Sequence, residues 1–144
     1  MKKPHLGILV KPASCDCNMA CGYCYYRPVE AVHAGGAPPR MSLEVVEAIC
    51  QQYRALAPAQ IKIAWQGGEP TLMGLDFFRR ALEIESRHAS RGDCWGNSLQ
   101  TNGVVLDGEW CEFLARNRFL VGLSIDGPPR AQRAPQVPGR PADP

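Results

Sequence analysis

The residues most able to do chemistry in this 144-residue chain are its cysteines, seven in all, and their placement is uneven. Cys15, Cys17, Cys21 and Cys24 share one short run, whereas Cys50, Cys94 and Cys111 are isolated. Cys17-Asn18-Met19-Ala20-Cys21-Gly22-Tyr23-Cys24 has the spacing Cys-x3-Cys-x2-Cys. A [4Fe-4S] cube takes one thiolate per iron, so three thiolates on one loop leave the fourth iron open to a small molecule. Shuffling the same composition yields this pattern in about one trial in a hundred, so spacing alone does not decide the matter. Two alternatives use Cys15. With the other three cysteines it would make a four-thiolate zinc site, although such sites usually draw two cysteine pairs from distant hairpins. As a fourth cluster ligand it would close the open iron and leave electron transfer only, but a two-residue offset gives it little room to reach the far corner of the cube. Cys15 reads more simply as a small buried side chain beside the loop.

An open iron can be chelated by the amino and carboxylate groups of S-adenosylmethionine (SAM). One electron then cleaves the S–C5′ bond and yields a 5′-deoxyadenosyl radical. In such chemistry the protein supplies position, potential and the exclusion of water. Gly67-Gly68-Glu69-Pro70 fits the same purpose. Glycines let backbone approach a ligand closely, and exposed carbonyls with Glu69 can accept hydrogen bonds from an ammonium group.

These residues need elements to hold them. Four apolar runs read as strands: Leu6 to Val10, Ile61 to Trp65, Ser98 to Thr101 and Phe119 to Ile125. Helical periodicity lies between the later ones. After Ser42 as N-cap, Leu43, Val46, Ile49, Cys50, Tyr53 and Leu56 share one face, and Pro58 follows the end. Leu75 to His88 and Asp107 to Asn117 supply two more helices. The order β, cysteine loop, α, β, α, β, α, β predicts an α/β fold with parallel strands joined by crossover helices, in a layer or partial (β/α) barrel. The cysteine loop, Gly67-Gly68-Glu69-Pro70, Gln100-Thr101-Asn102-Gly103 and Ser124-Ile125-Asp126-Gly127 then all fall at strand C-termini, where such folds place their sites.

Composition sets the outer bounds. A net charge of +2 from 16 basic and 14 acidic residues gives no large field, so neither nucleic acid nor membrane is expected as a partner. The apolar start is too short for a signal-peptide core, and no stretch could span a bilayer, which with the odd cysteine count points to the cytoplasm. Phe77, Phe78, Trp65 and Trp110 read as core. His33 and His88 read as surface or packing residues, and Arg79-Arg80 as the solvated side of a helix. The last 17 residues hold six prolines and three arginines, so residues 1–128 form the core domain and 129–144 a Pro/Arg-rich tail expected to be disordered.

Lys11-Pro12-Ala13-Ser14, Cys17 to Tyr26, Trp65 to Leu72, Leu99 to Gly103 and Phe119 to Pro128 together resemble the anaerobic sulfatase-maturating enzymes of the radical SAM superfamily, over residues 6 to 128. The resemblance implies a [4Fe-4S] cluster on Cys17, Cys21 and Cys24, with SAM contacted by Tyr23, Gly68 and Ser124. Gln66, Glu69, Gln100, Asn102 and Asp126 would line the same pocket, although Asx residues also close strands in purely structural turns. It further implies oxidation of a sulfatase cysteine or serine to Cα-formylglycine by hydrogen abstraction from Cβ, a sulfatase polypeptide as substrate, and an electron donor such as a flavodoxin or ferredoxin.

Members of that family continue into further strand-helix units and a domain with two auxiliary clusters, and their catalytic aspartate lies in that later part. No residue here is therefore assigned as general base. The Pro/Arg/Ala/Gly mixture after Pro128 suggests a frameshifted or truncated product. Such a chain is expected to take up a cluster poorly by itself and to leave sulfatase peptides unmodified. Another radical SAM peptide-modifying enzyme, or a non-catalytic iron-sulfur or zinc module, are the competing readings.

Overall fold

The computed structural model describes residues 5–26, 38–56, 58–90 and 93–127. His33 and the tail 129–144 lie outside the described residues. Four strands, β1 (His5–Val10), β2 (Gln60–Trp65), β3 (Cys94–Thr101) and β4 (Leu120–Leu123), form one sheet in sequence order. Every neighbouring pair is parallel, so each return of the chain must cross back over the sheet. Helices α1 (Leu43–Ala55), α2 (Leu75–His88) and α3 (Gly108–Arg116) lie on those return paths, and the expected α/β fold of four parallel strands is what forms.

The core explains why these segments settle as they do. In β2 the alternate residues Ile61, Ile63 and Trp65 are buried, which marks the face covered by helices. Val46 and Cys50 of α1, Phe78, Ala81 and Ile84 of α2, and Trp110 and Leu114 of α3 join them in one cluster. Phe78 is its hub, edge-on to Trp65 at 5.5 Å and to Trp110 at 5.5 Å. Such pairs contribute about 0.5–1.5 kcal/mol each beyond burial. The aromatic residues thus pack as core. The other face of the sheet is less covered, with Leu9 52% exposed.

Two strand boundaries differ most from the sequence reading. β3 starts at Cys94 rather than Ser98, because pairing with β2 continues from Gln60↔Cys94 to Trp65↔Leu99. The polar, glycine-bearing run Cys94-Trp95-Gly96-Asn97 has weak strand propensity, and its partner strand overrides it. β4 ends at Leu123 rather than Ile125, since β3 stops at Thr101, its last partner. Ser42 occupies the N-cap of α1 with extended backbone, but its hydroxyl accepts no hydrogen bond from the helix. At α3 the cap is complete, with Asp107 accepting from the Trp110 amide at 2.9 Å. Arg79 and Arg80 are exposed, Arg79 pairing with Glu109 at 2.6 Å, and His88 pairs with Glu47.

Candidate functional site

Each strand hands over to its loop at the same edge of the sheet. After β1 the chain makes two tight turns, with the Ser14 amide donating to the Lys11 carbonyl and the Asp16 amide to the Ala13 carbonyl. After β2 the segment 66–69 lies against this loop. Its amides at Gln66, Gly68 and Glu69 donate to the carbonyls of Val10, Ser14 and Asp16 at 2.9, 2.9 and 2.7 Å. The approach is close enough to demand glycine, because a Cβ on Gly68 would sit 2.1 Å from the Asp16 carbonyl oxygen. Gly67, at φ +125°, supplies the turn that brings it there.

A cleft of about 250 Å³ opens above this junction. Cys17, Cys21 and Cys24 border it, as do Tyr23, Gln66, Gly68, Glu69, Gln100, Asn102 and Ser124. Asp126 is not on its wall but accepts from the Tyr23 hydroxyl at 2.6 Å, tying the cysteine loop to the end of β4. This bond pushes the Tyr23 phenol up to about 12, since ionisation would place two anions together. Gln100 donates to the Ser124 hydroxyl at 2.8 Å and so joins the ends of β3 and β4. Tyr26 and Thr101 also border the cleft, and both lie inside the segments that carry the resemblance without having been assigned a role there. The buried Tyr26 hydroxyl has no hydrogen-bond partner among the described residues. The available signal was its place at the end of the segment Cys17 to Tyr26.

Glu69 is placed differently from a free ligand group. It is 1% exposed, and its carboxylate accepts from the Thr71 amide and hydroxyl, the Thr101 hydroxyl and the Asn102 amide at 2.6–3.0 Å. It caps the 3-10 turn Pro70–Met73 and fastens that turn to the end of β3. Asn102 likewise closes a turn, accepting from the Val104 amide, while its own amide group donates to Asn18 at 2.8 Å and lies 3.7 Å from Cys17 Sγ.

Three thiols on one cleft wall match the number that a [4Fe-4S] cube with one open iron takes. Cys15 is 5% exposed, packed in the core and off the cleft wall, so the three remaining thiols are the ones presented together. Zinc would need its ligands within about 2.3 Å of one point. Among the described residues no group of three or more His, Cys, Asp or Glu side chains is arranged to hold a metal ion. A cluster asks only for one thiolate at each of three corners. Surrounding protein desolvates the Cys17 thiol and raises its pKa, the Met19 amide pulling it the other way. Coordination to a cationic metal would reverse that balance.

With this geometry in view, comparison with known proteins is direct. A profile of the Radical SAM superfamily matches residues 12–141. The chain is 42% identical over 125 residues to a cysteine-type anaerobic sulfatase-maturating enzyme of Clostridium perfringens, covering 87% of this chain and 34% of that one. It is 40% identical over 124 residues to a serine-type anaerobic sulfatase-maturating enzyme of Bacteroides thetaiotaomicron, covering 85% and 30%. Among solved structures, native anSMEcpe with bound AdoMet and Cp18Cys peptide superposes with a TM-score of 0.78 at 42% identity, over 89% of this chain and 33% of that one. The chain thus spans about a third of the length of these relatives. Among the described residues, no helix is long and apolar enough to cross a membrane. The superfamily works with a [4Fe-4S] cluster and SAM, and the three cleft thiols beside the Gly67-Gly68 junction are of the kind those cofactors need. The matched profile, the parallel α/β fold and the three-cysteine loop agree: this chain belongs to the radical SAM superfamily.

Proposed function

We propose that this chain holds the cluster and SAM of an oxidoreductase that modifies a polypeptide, and that the reaction is that of the anaerobic sulfatase maturases, oxidation of a sulfatase cysteine or serine to Cα-formylglycine. The observation that carries the reading is the convergence of Cys17, Cys21 and Cys24 with the ends of β2, β3 and β4 on one cleft. When bound, the cluster supplies the electron that cleaves SAM. The chain's own residues hold and orient. The three thiolates would fix the cluster, and the backbone of residues 66–68, on the cleft wall, would offer carbonyls to the methionyl ammonium. Ser124 is oriented by Gln100, and Tyr23 by Asp126. Both cysteine-type and serine-type enzymes are among the relatives, so either residue is a candidate target. A flavodoxin or ferredoxin would deliver the electron, in the reducing cytoplasm.

Anaerobic reconstitution with iron and sulfide tests the ligand set. Visible absorbance, and the EPR signal after dithionite, should vanish in Cys17→Ala, Cys21→Ala and Cys24→Ala and persist in Cys15→Ala. A signal that survives Cys21→Ala, or that needs Cys15, would overturn it. Formation of 5′-deoxyadenosine from SAM, read by mass spectrometry, separates catalysis from simple cluster binding. A sulfatase peptide, added last, tests the substrate.

A further inference from the structure

One charged side chain has no part in the cleft, yet it touches both the cysteine loop and the turn that follows the glycine segment. Arg40 precedes α1. Its Nη2 donates to Asp16 Oδ2 at 2.7 Å and its Nη1 to the Leu72 carbonyl at 3.0 Å. Asp16 is the residue immediately before Cys17, and Leu72 lies in the 3-10 turn that follows Gly67-Gly68-Glu69. The next residue adds a second tie, the Met41 amide donating to the Pro12 carbonyl at 2.7 Å. Arg40 therefore bridges the cysteine loop and the Pro70–Met73 turn, next to the bonds by which the Gly68 and Glu69 amides join the same loop to the glycine segment.

The geometry points to Arg40 as a positioning residue. Its two-pronged contact sets the register of the cysteine loop against the glycine segment, and so the distance between Cys17 and the backbone that would meet SAM. An exposed ion pair adds little to global stability. Here, however, the fork has one prong in each partner, so it constrains where they sit relative to each other. Among the described residues, the loop beyond Asp16 is tied at Cys17 and Asn18 to Asn102 and at Tyr23 to Asp126. Without Arg40 the backbone at Asp16 keeps its bond from Glu69, but its side chain no longer fixes the direction in which the chain leaves toward Cys17.

The effect on the cluster rests on the function proposed above, whereas the effect on the loop does not, and the test separates them. Arg40→Ala is compared with Arg54→Ala, which removes a similar exposed pair, Arg54–Asp93 at 2.9 Å, distant in sequence from the cysteine loop. In the cluster-free protein, hydrogen–deuterium exchange of the segment 13–24 should speed up in Arg40→Ala and not in Arg54→Ala, with both melting temperatures close to wild type. In reconstituted protein, iron loss to a chelator should quicken by about tenfold in Arg40→Ala, the low end of what losing an outer partner costs a metal site. Arg40→Lys, with a single point charge, should fall between, and Asp16→Asn, which keeps an acceptor, should stay near wild type. Equal exchange of segment 13–24 in wild type and Arg40→Ala overturns the inference. So does a matching fall in melting temperature that alone accounts for the loosening. If wild type takes up no cluster, the functional reading fails, and the exchange result still decides the role of Arg40.

Discussion

At the scale of single residues the site depends on how little space separates two backbones. Gly68→Ala would put a methyl group 2.1 Å from the Asp16 carbonyl oxygen, so the cysteine loop and the β2 exit must part. Overpacking of this kind costs about 1–3 kcal/mol. We expect a lower urea midpoint for Gly68→Ala and a further loss of SAM binding, measured by equilibrium dialysis on reconstituted protein. The Tyr23–Asp126 contact gives a second residue-level outcome. Tyr23 should titrate near the raised value of about 12 in wild type, and Asp126→Asn should return it toward the usual 10, read by ultraviolet difference spectra. An unchanged tyrosine titration in Asp126→Asn would show that the two do not meet in solution.

At the scale of elements, α2 and β3 are joined by a buried polar chain. Trp65 Nε1 donates to Asn97 Oδ1, and Asn97 Nδ2 donates to Glu85 Oε2, both at 2.7 Å, while Glu85 Oε1 has no partner among the described residues. Burial pushes the Glu85 carboxyl up to about 7 from 4.5, with the Asn97 bond opposing. Burial and the Glu85 charge likewise hold the neighbouring Cys50 thiol near 12. The folded protein therefore keeps a proton on Glu85 that the unfolded chain releases at lower pH. Stability is fully present below the ordinary carboxyl range and is lost as pH rises through about 7, by a total on the order of 3 kcal/mol. Glu85→Gln should flatten the pH dependence of urea unfolding across that window. Parallel profiles for wild type and Glu85→Gln would show that the carboxyl ionises at its usual value.

At the scale of the whole molecule, the helices cover one face of a four-stranded parallel sheet and meet in one aromatic core. Among the described residues β4 is the sheet's last strand, and Leu120, Val121, Leu123 and the following Ile125 are 74%, 40%, 49% and 58% exposed. Parallel sheets are ordinarily buried on both faces, and an apolar edge strand invites association. Leu120→Lys places a charge on that edge at a position with no core role. It should reduce concentration-dependent light scattering while leaving the unfolding free energy from urea titration within about 0.5 kcal/mol of wild type.

The sequence by itself determined the three-cysteine loop, the alternation of strands and helices, and the clustering of polar residues at strand ends. Each of these depends on residue types within a few positions of one another. The tertiary structure decided what those residues do to each other. Glu69 reads as a free acceptor in the chain, but sheet register carries Thr101 and Asn102 to its carboxylate from 32 and 33 positions away. Cys15 is separated from the other three thiols only by the turn that buries it. The polar start of β3 becomes strand because β2 lies alongside to accept and donate its hydrogen bonds. Tyr23 finds Asp126 across 103 positions, and Arg40 finds Asp16 across 24. Such pairings follow from parallel strand alignment, which brings distant loops to one edge, and local sequence carries no trace of them.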